Sequence, residues 1–239
     1  MPENQRFLEA LKLSFRKCLS TSVRSNEKLK VLHSFVAKDL EASLADSAFQ
    51  IYALGQEGKK GCEASIQGRY LNKKVDITVK DSQSALAGVA VKFVMSNYSQ
   101  NSNNYFENML GETANIRAAH IPYFQIFCIF DKIPYFDNSG VIKKWEKISR
   151  HNVDKYIKLS QDDIDCFYHT PDKTLLCIVH LSPDAESEEI KNKRDYENYY
   201  LNNDFSLTYS AEPLDFGKSV IYNDYKKYIE KTTHRIKSI

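Results

Sequence analysis

Apolar residues recur every three to four positions over residues 5–17 and 27–44, and this spacing predicts two amphipathic helices. In the second, Leu29, Leu32, Phe35, Val36, Leu40 and Leu44 form one stripe. From Phe49 to Met95 the period falls to two, interrupted by Gly55, Gly58, Gly61 and Gly68, which predicts a series of short strands. There Glu63, Ser65, Gln67 and Arg69 alternate with Ala64, Ile66, Gly68 and Tyr70, and Asn72-Lys73 marks a turn. Residues 96–104 (SNYSQNSNN) are polar and predict a loop, with Asn103 or Asn104 available to cap a helix over 105–119. After Pro122, residues 123–130 (YFQIFCIF) are apolar on both faces, as a central strand requires. Beyond it the pattern predicts a helix over 141–158, a hairpin from 165–169 with 174–181, and polar helices over 186–200 and 219–237. This order predicts an α/β fold with a mixed central β-sheet flanked by helices on both faces.

Two of the short strands carry candidate chemistry. In residues 75–79, Val75, Ile77 and Val79 share a face, and Asp76 and Thr78 point the other way. In residues 88–93, Val89, Val91 and Phe93 share a face, with Ala90 and Lys92 opposite. If the strands pair, Asp76 and Lys92 meet on the polar side of the sheet. A carboxylate and an ammonium so placed suit a divalent metal and a phosphate. The plain alternative is a surface ion pair worth under about 1 kcal/mol.

Composition narrows the class without naming it. A chain of 239 residues most simply forms one domain, with a core expected over about 27–181 and a helical C-terminal part over 182–239. A net charge of +2, from 33 basic and 31 acidic residues, does not call for a nucleic-acid partner. The pairs Lys59-Lys60, Lys73-Lys74 and Lys143-Lys144 argue weakly for one, against the reading of solvated turns. Five cysteines form no CxxC, and Cys128 and Cys177 sit in apolar runs as expected buried strand residues. An odd cysteine count without a signal peptide suggests a reducing cytoplasm. No apolar stretch approaches the roughly 20 residues that span a bilayer, so no membrane partner is expected. No phosphate-binding loop, dinucleotide fingerprint, HExxH helix or serine elbow occurs.

Asp76, followed on the next strand by Ala90-Val91-Lys92, resembles the signature of PD-(D/E)XK nucleases, in which an Asp precedes an acid-x-Lys. With the helix and the HIPYFQIFCIF segment that follow, residues 60–131 are similar to EcoRI-like type II restriction endonucleases. The chain departs from the family at Ala90, where Glu or Asp is usual. The resemblance implies a restriction-endonuclease-like fold, Mg2+-dependent hydrolysis of double-stranded DNA, a homodimer and a prokaryotic cytoplasmic setting. It makes Asp76, Lys92 and Glu107 catalytic, with Asp76, Glu107, Val91 and Glu63 as metal ligands. Glu107 enters because some type II enzymes supply a missing acid from the following helix, where it and Glu112 flank an apolar arc. Glu107 is preferred as nearer the strand. Candidate DNA contacts are Lys73, Lys74, Asn97, Gln100, Asn103, Asn104 and Arg117, together with the region 182–212. Arg117 falls within the apolar arc, which implies either a structural ion pair or a phosphate contact. A Glu→Ala change at position 90 would instead make a cleavage-disabled form. The other readings are a non-catalytic nucleic-acid-binding module on a nuclease-like fold, or a repair or RNA-directed nuclease of the same superfamily.

Overall fold

In the computed structural model, which describes residues 1–21, 25–45, 48–187 and 190–239, the chain opens with α1 (Glu3–Ser20) and α2 (Glu27–Ser43). Both helices arise where periodicity predicts them, and Phe7, Leu11 and Phe15 of α1 and Leu32, Val36 and Leu40 of α2 are buried. Strands β1 (Gln50–Ala53), β2 (Ala64–Gln67), β3 (Asn72–Val75), β4 (Ile77–Lys80) and β5 (Ala85–Val94) follow. Then come α3 (Tyr98–Arg117), β6 (Tyr123–Phe130), β7 (Lys132–Phe136), β8 (Ile142–Lys147), α4 (Arg150–Leu159) and β9 (Lys173–Ser182). The chain ends with α5 (Lys193–Asn202), β10 (Ser206–Tyr209), β11 (Val220–Tyr222) and α6 (Tyr225–Lys237).

The central seven-stranded sheet runs β1-β4-β5-β6-β9-β10, with β11 also pairing β9. Pairing is antiparallel from β1 through β5, parallel across β5-β6-β9, and antiparallel again at β10. The sheet is therefore mixed. Phe130 of β6 packs on Phe15 of α1, while Phe127 packs on Tyr98 of α3 and Tyr156 of α4, so helices cover both faces. Every residue of β6 is buried, as its two-faced apolar pattern predicts. Cys128 and Cys177 are fully buried neighbours in register on β6 and β9.

Several expectations need correction. Residues 98–104 are helix, not loop: α3 begins at Tyr98, which is itself buried. Serine and asparagine are poor helix formers, but the first turn has a tertiary partner. Glu146 of β8 accepts hydrogen bonds from the Ser99 N–H at 3.2 Å and from the Ser99 hydroxyl, placing negative charge at the helix N-terminus. Residues 141–158 are not one helix. An Asp137-centred turn, in which Oδ1 accepts from the Ser139 and Val141 N–H groups, folds 142–147 back on β7. A Ser149–Asn152 capping box then starts α4. Residues 165–169 form turns rather than a hairpin strand, and the carbonyls of Ile164, Phe167 and Thr170 accept hydrogen bonds from Arg117. The core is not confined to 27–181, because α1, β10, β11 and α6 belong to the same hydrophobic cluster. The C-terminal part is likewise not wholly helical, since β10 and β11 pair with β9.

Candidate functional site

Asp76 sits between two sheets. Val75 ends β3, which pairs only with β2, while Ile77 starts β4 in the central sheet. The single residue where the chain changes sheets is thus off both ladders, and the expected continuous strand 75–79 is broken there. Thr78 does not share an exposed polar face with it: Thr78 is fully buried and donates to the Ala64 carbonyl at 3.3 Å. Beyond the last β4–β5 pair, Ile77 with Val89, the Val91 N–H donates to Asp76 Oδ2 at 2.7 Å and orients the carboxylate. Burial pushes the Asp76 carboxyl up to about 6, against the Val91 hydrogen bond; Glu112 raises it further, and Lys73 and Lys92 pull it down.

A cavity of about 690 Å3 opens beside it, lined among others by Asp76, Ala90, Lys92, Tyr105, Glu112 and Gln125. Lys92 is exposed at this cavity, with its ammonium 4.4 Å from the Tyr105 ring centroid. Lost hydration lowers its pKa, and the Asp76 charge opposes that shift. Glu112 pairs with Lys73, and its Oε2 accepts from the Tyr123 hydroxyl at 3.3 Å. Asp76 and Lys92 are therefore brought to one cavity, as expected, but by the change of sheets at Asp76 and not by cross-strand pairing.

Glu107 is not brought there. It is exposed, does not line the cavity, and exerts its charge on Lys155, which donates to the Ser102 carbonyl at 2.8 Å. Starting α3 at Tyr98 rather than Tyr105 does not change the angle between the two glutamates; packing of Tyr105 and Met109 at the cavity turns the Glu112 side inward. Of the two acids, Glu112 is the one at the cavity.

Two features were not legible from their spacing. His33 falls outside the apolar residues that mark the α2 stripe, yet it is only 1% exposed. One of its ring nitrogens lies with a carboxylate oxygen each of Glu63 and Asp76 in a group whose ligand atoms are all within 4.8 Å of one another. Burial lowers the His33 pKa to about 4, with Glu63 opposing, so the imidazole is neutral near pH 7. Glu63, expected to lead the upstream strand, lies one residue before β2 and does approach Asp76. The second feature is the β2–β3 turn, where Tyr70 is 82% and Leu71 58% exposed. Asn115 clamps this tip, accepting from the Tyr70 and Leu71 N–H groups at 2.9 and 3.2 Å. A Cβ on Gly68 would lie 2.1 Å from the Asn115 amide, so a side chain there would displace the clamp.

The chain matches no family model, no curated protein and no solved structure. The site must stand on its own geometry.

Among the expected DNA contacts, Lys74, Gln100, Asn103 and Asn104 are exposed. Asn97 is taken by structure: its amide donates to the Phe136 carbonyl at 2.7 Å and accepts from the Phe136 N–H at 3.0 Å. It also holds the left-handed φ of 50° that precedes α3. Lys73 is engaged by Glu112. Arg117 is a structural hub and not a phosphate contact. It is buried, pairs with Asp172 at 3.0 Å, and donates to the carbonyls of Ile164, Phe167 and Thr170 at 2.7–2.9 Å. Arg117→Met is expected to destabilise the protein by about 3–5 kcal/mol in urea denaturation, because Asp172 loses an inner cation and three carbonyls lose a donor. A loss below about 1 kcal/mol would show that Arg235, which also reaches Asp172 at 3.0 Å, suffices.

Among the described residues, no helix is long and apolar enough to cross a membrane.

Proposed function

We propose that this protein is a metal-dependent endonuclease of the PD-(D/E)XK type that hydrolyses phosphodiester bonds in double-stranded DNA, acting as a homodimeric type II restriction enzyme. One observation carries the reading: Asp76, from the β3–β4 junction, and Lys92 of β5 line one cavity together with Glu112. Connectivity supports it as well. An antiparallel β4–β5 pair leads through α3 to β6, parallel to β5, and this order accords with a restriction-endonuclease-like fold.

The residues present fit a divalent cation. Two carboxylates converge with an imidazole whose nitrogens have no hydrogen-bond partner, a donor set with room for a positive charge. Asp76, Glu63 and His33 would hold the ion, which when bound supplies a more acidic water and charge neutralisation at phosphate. Lys92, restrained by Tyr105, binds a non-bridging oxygen of the scissile phosphate and stabilises charge as the bond breaks. The Val91 N–H holds Asp76 Oδ2 and so orients the carboxylate that would help hold the ion. Exposed Lys74 and the rigid Tyr70–Leu71 tip, both on the β2–β3 hairpin, offer charge and an apolar surface to the nucleic acid.

Ala90 favours a second reading, a DNA-binding module without cleavage, since its methyl group lines the cavity where an acid would complete the signature. Incubating the protein with supercoiled plasmid and Mg2+ or Mn2+ separates the possibilities. Discrete fragments support restriction, and random degradation supports a general or repair nuclease. Retarded but uncut DNA supports the module, and neither cutting nor retardation overturns the reading.

A further inference from the structure

We infer that His33, Glu63 and Asp76 form the metal site and select a first-row transition ion such as Mn2+ over Mg2+. This deepens the reading above and rests on it only for the reaction the ion serves. The decisive group is His33. A core histidine in a folded protein has its ring nitrogens hydrogen-bonded, because an unsatisfied buried polar atom is costly. Here the residue is 1% exposed, and neither Nδ1 nor Nε2 has a partner among the described residues. What the ring does face is a pair of carboxylates.

Distance permits coordination. With metal–ligand bonds of about 2.0–2.2 Å, donor atoms stand at most roughly 4.4 Å apart. The three donor atoms lie within 4.8 Å of one another, so small rotations of Glu63 and Asp76 close the site. Donor chemistry then selects the ion. Mg2+ takes oxygen ligands and retains its water, whereas imidazole suits the transition ions, and Mn2+ accepts nitrogen and carboxylate together. One imidazole with two carboxylates neutralises a divalent charge and leaves coordination positions for water and substrate.

The test is binding of Mn2+ to the full-length protein without DNA, followed by calorimetry and by pulsed electron paramagnetic resonance. The expected result is one tight site, a nitrogen coupling from one imidazole, and no displacement by equimolar Mg2+. His33→Leu should remove the nitrogen coupling and weaken binding at least about tenfold, with circular dichroism as the check on folding. Should that variant fail to fold, Glu63→Gln at the cluster's other edge should still weaken binding, and the wild-type nitrogen signal stands without any variant. Bound Mn2+ lacking nitrogen coupling, a coupling that survives in folded His33→Leu, or equal affinity for Mg2+ would each overturn the inference. Binding as expected with intact plasmid leaves the site standing and removes the nuclease. Cleavage with Mg2+ and no nitrogen coupling does the reverse.

Discussion

Asp76→Asn is expected to abolish cleavage while making the metal-free protein more stable. On the proposed reading, in which Asp76 would hold the ion, its loss should reduce turnover by at least about a thousandfold. Stability moves the opposite way because the wild-type charge is unfavourably buried. Its carboxyl ionises at about 6 in the folded chain against an ordinary 3.8. A raised carboxylate pKa means that the unfolded chain loses its proton first, so wild-type stability falls as pH rises from about 4 to 6 and stays lower above that. The size is about 2–3 kcal/mol. Asn keeps an oxygen for the Val91 N–H and carries no charge. Thermal melts in chelator should therefore show the variant above wild type at pH 8, converging near pH 4. Other groups, His33 among them, are common to both proteins and largely cancel in this difference. Added Mn2+ should raise the melting temperature of wild type and not of the variant. A variant less stable than wild type at pH 8 would show that Asp76 is a structural acceptor and not a strained ligand.

Glu112→Gln is expected to cost about two orders of magnitude or more in turnover, and Glu107→Gln less than about twofold. Glu112 lines the cavity, adds its charge to Asp76 and receives Lys73 and the Tyr123 hydroxyl. Glu107 lies outside, beside Lys155. Single-turnover cleavage by the two variants, with DNA affinity measured in Ca2+, distinguishes loss of chemistry from loss of binding. Ala90→Glu extends the comparison. If position 90 is naturally without its acid, the added Glu crowds Glu112 and Asp76 and gains nothing. Activity appearing only in Ala90→Glu would instead make this chain a disabled form, and equal, small losses in both glutamine variants would remove α3 from the reaction.

How much of this could be read without the fold follows from the range of the forces involved. Alternation and helical periodicity are local, and they sufficed for α1, α2, the buried β6 and the strand that presents Lys92. They failed wherever a distant group overrode local preference. Glu146 makes a helix of an asparagine-rich stretch, and Arg117 gathers three carbonyls into turns where a strand was expected. Asp76 illustrates both sides. Its residue type and neighbours mark it as a candidate ligand, but its raised pKa comes from burial at a change of sheets. His33 is the extreme case. Within α2 it is a single polar residue beside an apolar stripe, and only the fold brings it to Glu63 and Asp76, from two other segments, as the donor the proposed site requires. Metal donor sets are assembled across sequence distance, whereas periodicity reports only which way each residue faces.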